Sequence, residues 1–218
     1  MNISKPTLEV LKNFATINTN ILVREGNTLA TISNGKNIFS RATVTESFDK
    51  EFAIYDLNSL LGLLTFTDNP DLDLGDESLK INSSGAEFEY FYADPSIIVA
   101  APDKTIDVDN FYEFSMSKDE VTNISRAASV ISAPVMSVVG RDGKVTLSVG
   151  DPSTPRSNTF RQVIGETDKE FDCRLAVENF KVIADSYKIV LSQKKFMFLE
   201  NESGTLKYWL ALEPNSVI

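Results

Sequence analysis

Histidine is absent from this sequence, and cysteine occurs once, at Cys173. The first absence removes the only side chain whose unperturbed pKa lies in the physiological window. With it go every His-based triad and every His metal site. A lone cysteine excludes an intramolecular disulfide and a thiolate metal cluster, and suits a reducing compartment. The alternation in Phe171-Asp172-Cys173-Arg174-Leu175 points to a strand with a buried, structural thiol. Neither a G-x-x-x-x-G-K-S/T nor a G-x-G-x-x-G phosphate loop occurs. The first residues, Met1-Asn2-Ile3-Ser4-Lys5-Pro6-Thr7, lack the charged-then-apolar pattern of a signal peptide. No apolar run approaches bilayer length, so no membrane partner is expected.

Three clusters of polar residues fall short of a site. Asp68, Asp71, Asp73, Asp76 and Glu77 could in principle attract a cation, but counted from Asp71 the glycine of an EF-hand loop falls one place early, at Gly75. The segment Asp68 to Glu77 therefore reads as a solvated acidic loop. Asp151-Pro152-Ser153-Thr154-Pro155-Arg156 reads as a turn-rich loop, and Lys194-Lys195 is too short for a basic patch. The expectation is a protein without catalytic residues, metal or cofactor.

What is present is acid and apolar surface. Lys and Arg number 21 against 31 Asp and Glu, for a net charge of −10. The field of the whole molecule repels nucleic acid, although total charge does not describe any one face. It does exclude a uniformly basic coat protein. The 42% hydrophobic share is enough for one large core or two small ones.

Periodicity orders the chain. A helix is predicted from Pro6-Thr7 to near Asn18, with Leu8, Leu11 and Ala15 on one side, extended by Val10, Phe14 and Ile17. Glu9, Lys12, Asn13 and Thr16 form its opposite stripe. Strands are predicted at Ile21–Arg24, Thr28–Ile32, Ile38–Val44 and Glu51–Tyr55, with Asn34-Gly35 as a type I′ hairpin signal. A short helix Leu57–Leu64 capped by Asp56 follows, then strands Thr65–Thr67, Ser78–Asn82 and Glu87–Tyr92. Residues 93–108 read as an extended connector with an apolar centre, Ile97-Ile98-Val99. A second long helix runs from Ser117 to Ile131, opened by a Ser117/Glu120 capping box. Val121, Ile124, Ala128 and Ile131 form its buried stripe, and Asp119, Thr122, Arg126, Ser129 and Ala133 the other. Strands Val135–Val139, Lys144–Val149, Asn158–Ile164 and Glu170–Leu175, a short helix Ala176–Ala184, and strands Tyr187–Ser192, Lys195–Glu200 and Leu206–Leu212 complete it. Each half thus reads helix, four strands, short helix, three strands: an internal repeat. The domains are expected at 1–92 and 109–218, joined by 93–108.

Four stretches, in order, carry a family likeness. They are Leu11-Lys12-Asn13-Phe14-Ala15-Thr16-Ile17-Asn18; Ala53-Ile54-Tyr55-Asp56-Leu57-Asn58; Ala93-Asp94-Pro95-Ser96 with Val99-Ala100 and Pro102; and Leu206-Lys207-Tyr208-Trp209-Leu210-Ala211-Leu212-Glu213-Pro214. The sequence resembles DNA sliding clamps, and most closely the trimeric processivity factors of large tailed bacteriophages. The resemblance implies an α+β fold of two similar clamp-type domains, with antiparallel sheets outside and helices lining a homotrimeric ring. It implies a non-enzymatic replication factor in the cytoplasm of the infected host cell. Its partners would be double-stranded DNA without sequence readout, the C-terminal peptide of a DNA polymerase, an ATP-driven clamp loader, and late transcription factors.

On that basis the helix cations Lys5, Lys12, Arg126 and Lys181, with Lys118 near a helix start, would face DNA. Glu9, Asp119 and Glu178 dilute them. The strand Glu87-Phe88-Glu89-Tyr90-Phe91-Tyr92 would pair with the next subunit through Phe88, Tyr90 and Tyr92, against Phe160, Gln162 and Ile164. A partner peptide would dock on Ile97, Ile98 and Val99 of the connector with Trp209, Ala211 and Pro214. A different class remains open: a strand-rich virion or assembly protein that oligomerises through the same edges. An enzyme ranks behind both.

Overall fold

Ser4 starts the first helix. Its hydroxyl accepts from the Thr7 N–H, and Pro6 occupies the first turn, where a missing N–H costs nothing. Helix α1 (Lys5–Ile17) buries Leu11, Phe14, Ala15 and Ile17 and packs on strands of its own half. Each large side chain so buried is worth about 1.5–3 kcal/mol over exposure. The structure, a computed structural model, describes residues 1–66, 70–83, 85–104 and 106–218. The chain divides into two compact units, Met1–Lys104 and Thr105–Ile218.

In the first unit, β1 (Ile21–Val23) pairs with β4 (Phe52–Ile54) and β2 (Gly26–Ile32) with β3 (Ile38–Phe48), both antiparallel. Helix α2 (Leu57–Phe66) begins at Asp56, whose carboxylate accepts from the Ser59 N–H, and buries Leu57, Leu60, Leu61 and Leu64. A three-stranded meander follows, β5 (Asp71–Leu74), β6 (Ser78–Ser83) and β7 (Ala86–Phe91). Leu72, Leu79 and Ile81 fill its buried face.

In the second unit, β8 (Tyr112–Met116) leads into α3 (Lys118–Val130). Strands β9 (Val135–Arg141), β10 (Lys144–Gly150), β11 (Phe160–Glu166) and β12 (Phe171–Ala176) form an antiparallel sheet in the order β11-β10-β9-β12. Strands β13 (Tyr187–Ser192), β14 (Phe196–Asn201) and β15 (Leu206–Ala211) join β8 in the order β15-β14-β13-β8. Val121, Ile124 and Ala128 of α3 are buried, and α3 packs on β10 and β11.

The fold is α+β with antiparallel sheets, and the repeat extends to single backbone bonds. In the first unit the Ala93 N–H donates to Ala53 O at 2.9 Å; in the second the Glu213 N–H donates to Arg174 O at 2.7 Å. The Leu57 N–H donates to Thr19 O at 2.7 Å, and the Val177 N–H donates to Pro134 O at 2.9 Å. Each unit ties its outgoing chain, and the start of its second helical segment, to the same places in the repeat.

Several boundaries differ from expectation. Thr65 and Phe66 continue α2 instead of starting a strand, with the Thr65 hydroxyl donating back to Leu61 O at 2.8 Å. Thr67, Asp68 and Asn69 lie outside the described residues. Asp71–Leu74 is a strand and not loop: Leu72 points inward, and its N–H donates to Met1 O at 2.7 Å. The 33–37 turn is not type I′, because the positive φ (57°) falls on Lys36, while the Ser33 hydroxyl accepts from the N–H groups of Asn37 and Ile38. The helix expected at Ala176–Ala184 shrinks to one turn, Val177–Asn179. Ile183 instead satisfies its backbone on tyrosines: its N–H donates to Tyr208 Oη at 3.2 Å and its carbonyl accepts from Tyr187 Oη at 2.7 Å. Ala133 lies past the end of α3 and is buried, so it is no part of an exposed stripe.

Candidate functional site

The amphipathic design of α1 and α3 decides where the cations go. With one stripe committed to the core, Lys5 and Lys12 are exposed on α1, and Lys118 and Arg126 are exposed on α3. Lys12 shares its charge with Glu9, 2.8 Å away. Lys181 is different: it is half-buried in the irregular segment after the 3-10 turn and belongs to no helix.

Both helices start on carboxylates. The Ser117/Glu120 capping box is formed as the sequence signals: Ser117 N–H and Oγ both donate to Glu120 Oε2 at 2.8 Å. The Ser117 contacts hold the Glu120 carboxyl below its ordinary range, and a bond from Gln162 on β11, 2.9 Å from Oε1, adds to this. At α1 the partner comes from afar. Glu46 of β3, 8% exposed, accepts from the Ser4 N–H and the Thr7 hydroxyl. Burial pushes its pKa up, but the bonds from Thr7 and Ser4 outweigh that and the net shift is downward. This role went unread in the sequence, although a signal exists: Glu46 stands in the inward register of Ala42, Val44 and Phe48.

The connector is held by two asparagines. The Val99 N–H donates to Asn20 Oδ1 at 3.1 Å, and Asn18 Nδ2 donates to Val99 O at 3.4 Å. The segment is not extended throughout, since Asp94 caps a 3-10 turn, Pro95–Ile97. Among the three apolar residues the roles divide. Ile98 is buried against Leu22 and Ala53, Ile97 is 61% exposed, and Val99 is partly exposed. Nothing in the sequence distinguishes Ile97 from Ile98.

In the second unit, Trp209 of β15 is buried, its ring 5.0 Å from that of Phe198 on β14. Ala211 is half-buried at the end of the strand. Pro214 is exposed, and its carbonyl accepts from Lys195 Nζ at 2.9 Å.

The two strands expected at a subunit contact are both sheet edges, β7 beside β6 and β11 beside β10. Their named side chains, however, turn toward their own units. Phe88 meets the Phe66 ring edge-on, and the Tyr90 hydroxyl donates to Asp56 O at 3.0 Å. Tyr92 stacks on Phe52 with ring centroids 4.9 Å apart, and burial, with Asp49, Asp73 and Asp76 adding, raises its pKa to about 12. Phe160, Gln162 and Ile164 are half-buried, with Gln162 bound to Glu120. What β7 presents outward is Glu87, Glu89 and Phe91; what β11 presents is Arg161 and Val163.

Among the described residues no group of three or more His, Cys, Asp or Glu side chains could hold a metal ion. Among them, too, no helix is long and apolar enough to cross a membrane. Cys173 is buried, and that burial, with Asp172 adding, pushes its thiol up to about 12, the signature of an inert side chain.

Paired helical starts, two repeated units and peripheral strands left open at their edges define a known architecture. The solved structure of proliferating cellular nuclear antigen from Entamoeba histolytica matches with a TM-score of 0.69 at 17% identity, covering 94% of each chain. The β subunit of DNA polymerase III from Pseudomonas aeruginosa matches with a TM-score of 0.71 at 13% identity, covering 100% of this chain and 66% of that one. The fold is therefore the one that those two structures share.

Sequence likeness is more specific. The family model described as DNA polymerase processivity factor matches residues 4–100. The sliding clamp of Vibrio phage KVP40 is 28% identical, over 98% of this chain and 99% of its own length.

Proposed function

We propose that this chain is a sliding clamp: three copies close into a ring around duplex DNA and tether a replicative polymerase to it. The observation that carries this reading is the end-to-end likeness to a phage sliding clamp at matched length, on a fold shared with processivity factors. The exposed cations of α1 and α3 support it. They give the amphipathic helices a polar face suited to phosphate, while the chain as a whole carries −10. Encirclement is topological, so no base contact is needed and no sequence is read. The open edges of β7 and β11 would be the surfaces that a neighbouring subunit covers, chiefly by backbone pairing, given where their side chains turn.

The polymerase tail would dock by the connector and the β15 end, on Ile97, Val99, Trp209, Ala211 and Pro214. Ile98 serves as the buried anchor of that segment. An ATP-driven loader would open the ring, and late transcription factors would be further partners. The domain reading, 1–92 and 109–218 with 93–108 between, belongs to this proposal.

Retention on DNA tests it. Loaded with loader and ATP onto closed circular duplex, the protein stays bound, and it runs off when the circle is cut. Equal retention on both forms overturns encirclement. An open, growing assembly without loader stimulation would favour a virion or assembly protein instead.

A further inference from the structure

Strand register places an unusual row on the face of the second unit's β11-β10-β9-β12 sheet that points away from α3. Ser148 pairs with Arg161 on one side and with Ser137 on the other, and Ser137 pairs with Arg174. The row is Arg-Ser-Ser-Arg, and at the usual strand spacing it runs about 14 Å. The inward alternates, Val145, Leu147 and Val149 on β10, are buried, so the polar residues have only this side to occupy.

The loop 151–157, between β10 and β11, walls the face beyond one end of the strands, alongside the row. Asp151 is spent on building that loop: it accepts from the Ser153 N–H at 2.9 Å, from Ser153 Oγ at 2.6 Å and from Thr154 Oγ1. Arg156, exposed at φ 63°, stands on the loop's far turn. Two adjoining troughs of about 600 and 570 Å³ result, sharing Ser137, Ser148, Pro152 and Arg161. Arg141 and Lys144, which flank the β9–β10 turn, stand at the opposite end of the strands.

Charge concentrates here. Asp172 binds Arg174 at 2.6 Å, but among the described residues no ion pair engages Arg141, Lys144, Arg156 or Arg161. Five Arg and Lys side chains line the two troughs against three aspartates, Asp142, Asp151 and Asp172, so in a chain of net −10 this is a cationic, hydroxyl-lined face. It also holds apolar ground. Val163, 60% exposed, lies opposite Thr146, whose other neighbour is Val139.

We propose that this face docks an acidic peptide segment with interspersed apolar side chains, supplied by a partner protein. Guanidinium groups beside hydroxyl donors suit carboxylates, which arginine can hold through two parallel bonds. The valines suit an aliphatic anchor. Single-stranded nucleic acid is the less fitting polyanion, because neither trough is lined by an aromatic ring on which a base could stack. The inference does not rest on the clamp reading, and its test needs neither duplex DNA nor loader.

The experiment is fluorescence anisotropy on the purified full-length chain with three short labelled probes. These are a peptide alternating Asp or Glu with Leu, the same peptide with Ser at the acidic positions, and an oligothymidylate of equal length. The acidic peptide is expected to bind best, with an affinity that falls as salt rises. Arg156→Glu with Arg161→Glu is expected to weaken it by roughly tenfold or more, while Lys36→Glu on the first unit leaves it unchanged. If that double variant loses its native melting transition, Arg141→Glu with Lys144→Glu tests the other end of the same face. Unchanged binding in a folded double variant overturns the proposal. So does equal binding of the Ser peptide, or tighter binding of the oligothymidylate.

Discussion

Gln162 of the edge strand β11 donates to Glu120 of the α3 capping box at 2.9 Å, so one carboxylate serves both a helix start and a sheet edge. Glu120→Ala removes both functions. It is expected to cost about 1–2 kcal/mol in chemical denaturation, the range of a lost cap, with faster amide exchange in β11 as well as in the first turn of α3. A loss confined to α3 would show that the Gln162 bond contributes nothing to the edge.

The buried Glu46 gives α1 a dependence on acid. Its folded pKa lies below its unfolded value, so its contribution is fully present above the ordinary carboxylate range and is lost as pH falls through the folded pKa. Glu46→Gln should therefore destabilise the protein by about 2 kcal/mol at neutral pH and flatten the acid limb of its stability curve below about pH 4.5. An acid limb identical to that of the parent would remove Glu46 from this role.

Gly140 faces Phe171 across the β9–β12 pair. A Cβ built there would stand 2.5 Å from Phe171 Cε1 and 2.8 Å from Lys169 O. That ring in turn touches the rings of Phe111 and Tyr112, so it has little room to move. Gly140→Ala is expected to cost about 1–3 kcal/mol by overpacking, measured by the shift of the denaturation midpoint. A neutral substitution would mean that the ring shifts freely.

The exposed cations should matter for DNA and not for folding. Lys5, Lys12, Lys118 and Arg126 changed together to Glu are expected to abolish loader-dependent processive synthesis. The particle mass and the melting transition should stay those of the parent. Arg126 is the most informative single change, because Lys12 is ion-paired with Glu9. Unimpaired synthesis by the fourfold variant would move the DNA contact elsewhere.

The connector separates stability from recognition. Ile98→Ala should destabilise the first unit by about 2–4 kcal/mol, since it empties a site packed by Leu22 and Ala53. Ile97→Ala should leave stability within about 0.5 kcal/mol and weaken a polymerase tail peptide in titration. Trp209→Ala should weaken the same peptide by more than about 1 kcal/mol. Full affinity in both Ile97→Ala and Trp209→Ala would relocate the docking site.

Legibility followed the type of force involved. Helices α1 and α3 were readable because caps and apolar stripes are local, and Ser117 with Glu120 marks its helix within four residues. The strand β8 carries a weaker signal: only Phe114 and Met116 are buried alternates in its five residues. The strand Asp71–Leu74 is hard to read because its exposed positions are aspartates, which give an alternating strand the composition of an acidic loop. The missing helix after Ala176 could not be seen, since the groups that replace its backbone bonds, Tyr187 and Tyr208, come from strands further along. The cations of the candidate site followed the helices and were legible with them, except Lys181. The contributions of Glu46, Asn18, Asn20 and Gln162 depend on what the fold brings to them from dozens of residues away.

The matched backbone ties at Ala53 and Arg174 bear on how such chains tolerate drift. Amide-to-carbonyl links ignore side-chain identity, so a saturation library at position 213 should accept most residues, while position 93, where Ala93 packs against Leu22, Ala53 and Ile98, should keep small apolar ones. Proline is the exception, having no hydrogen to give. A tie made by the main chain alone is kept while the side chains around it drift.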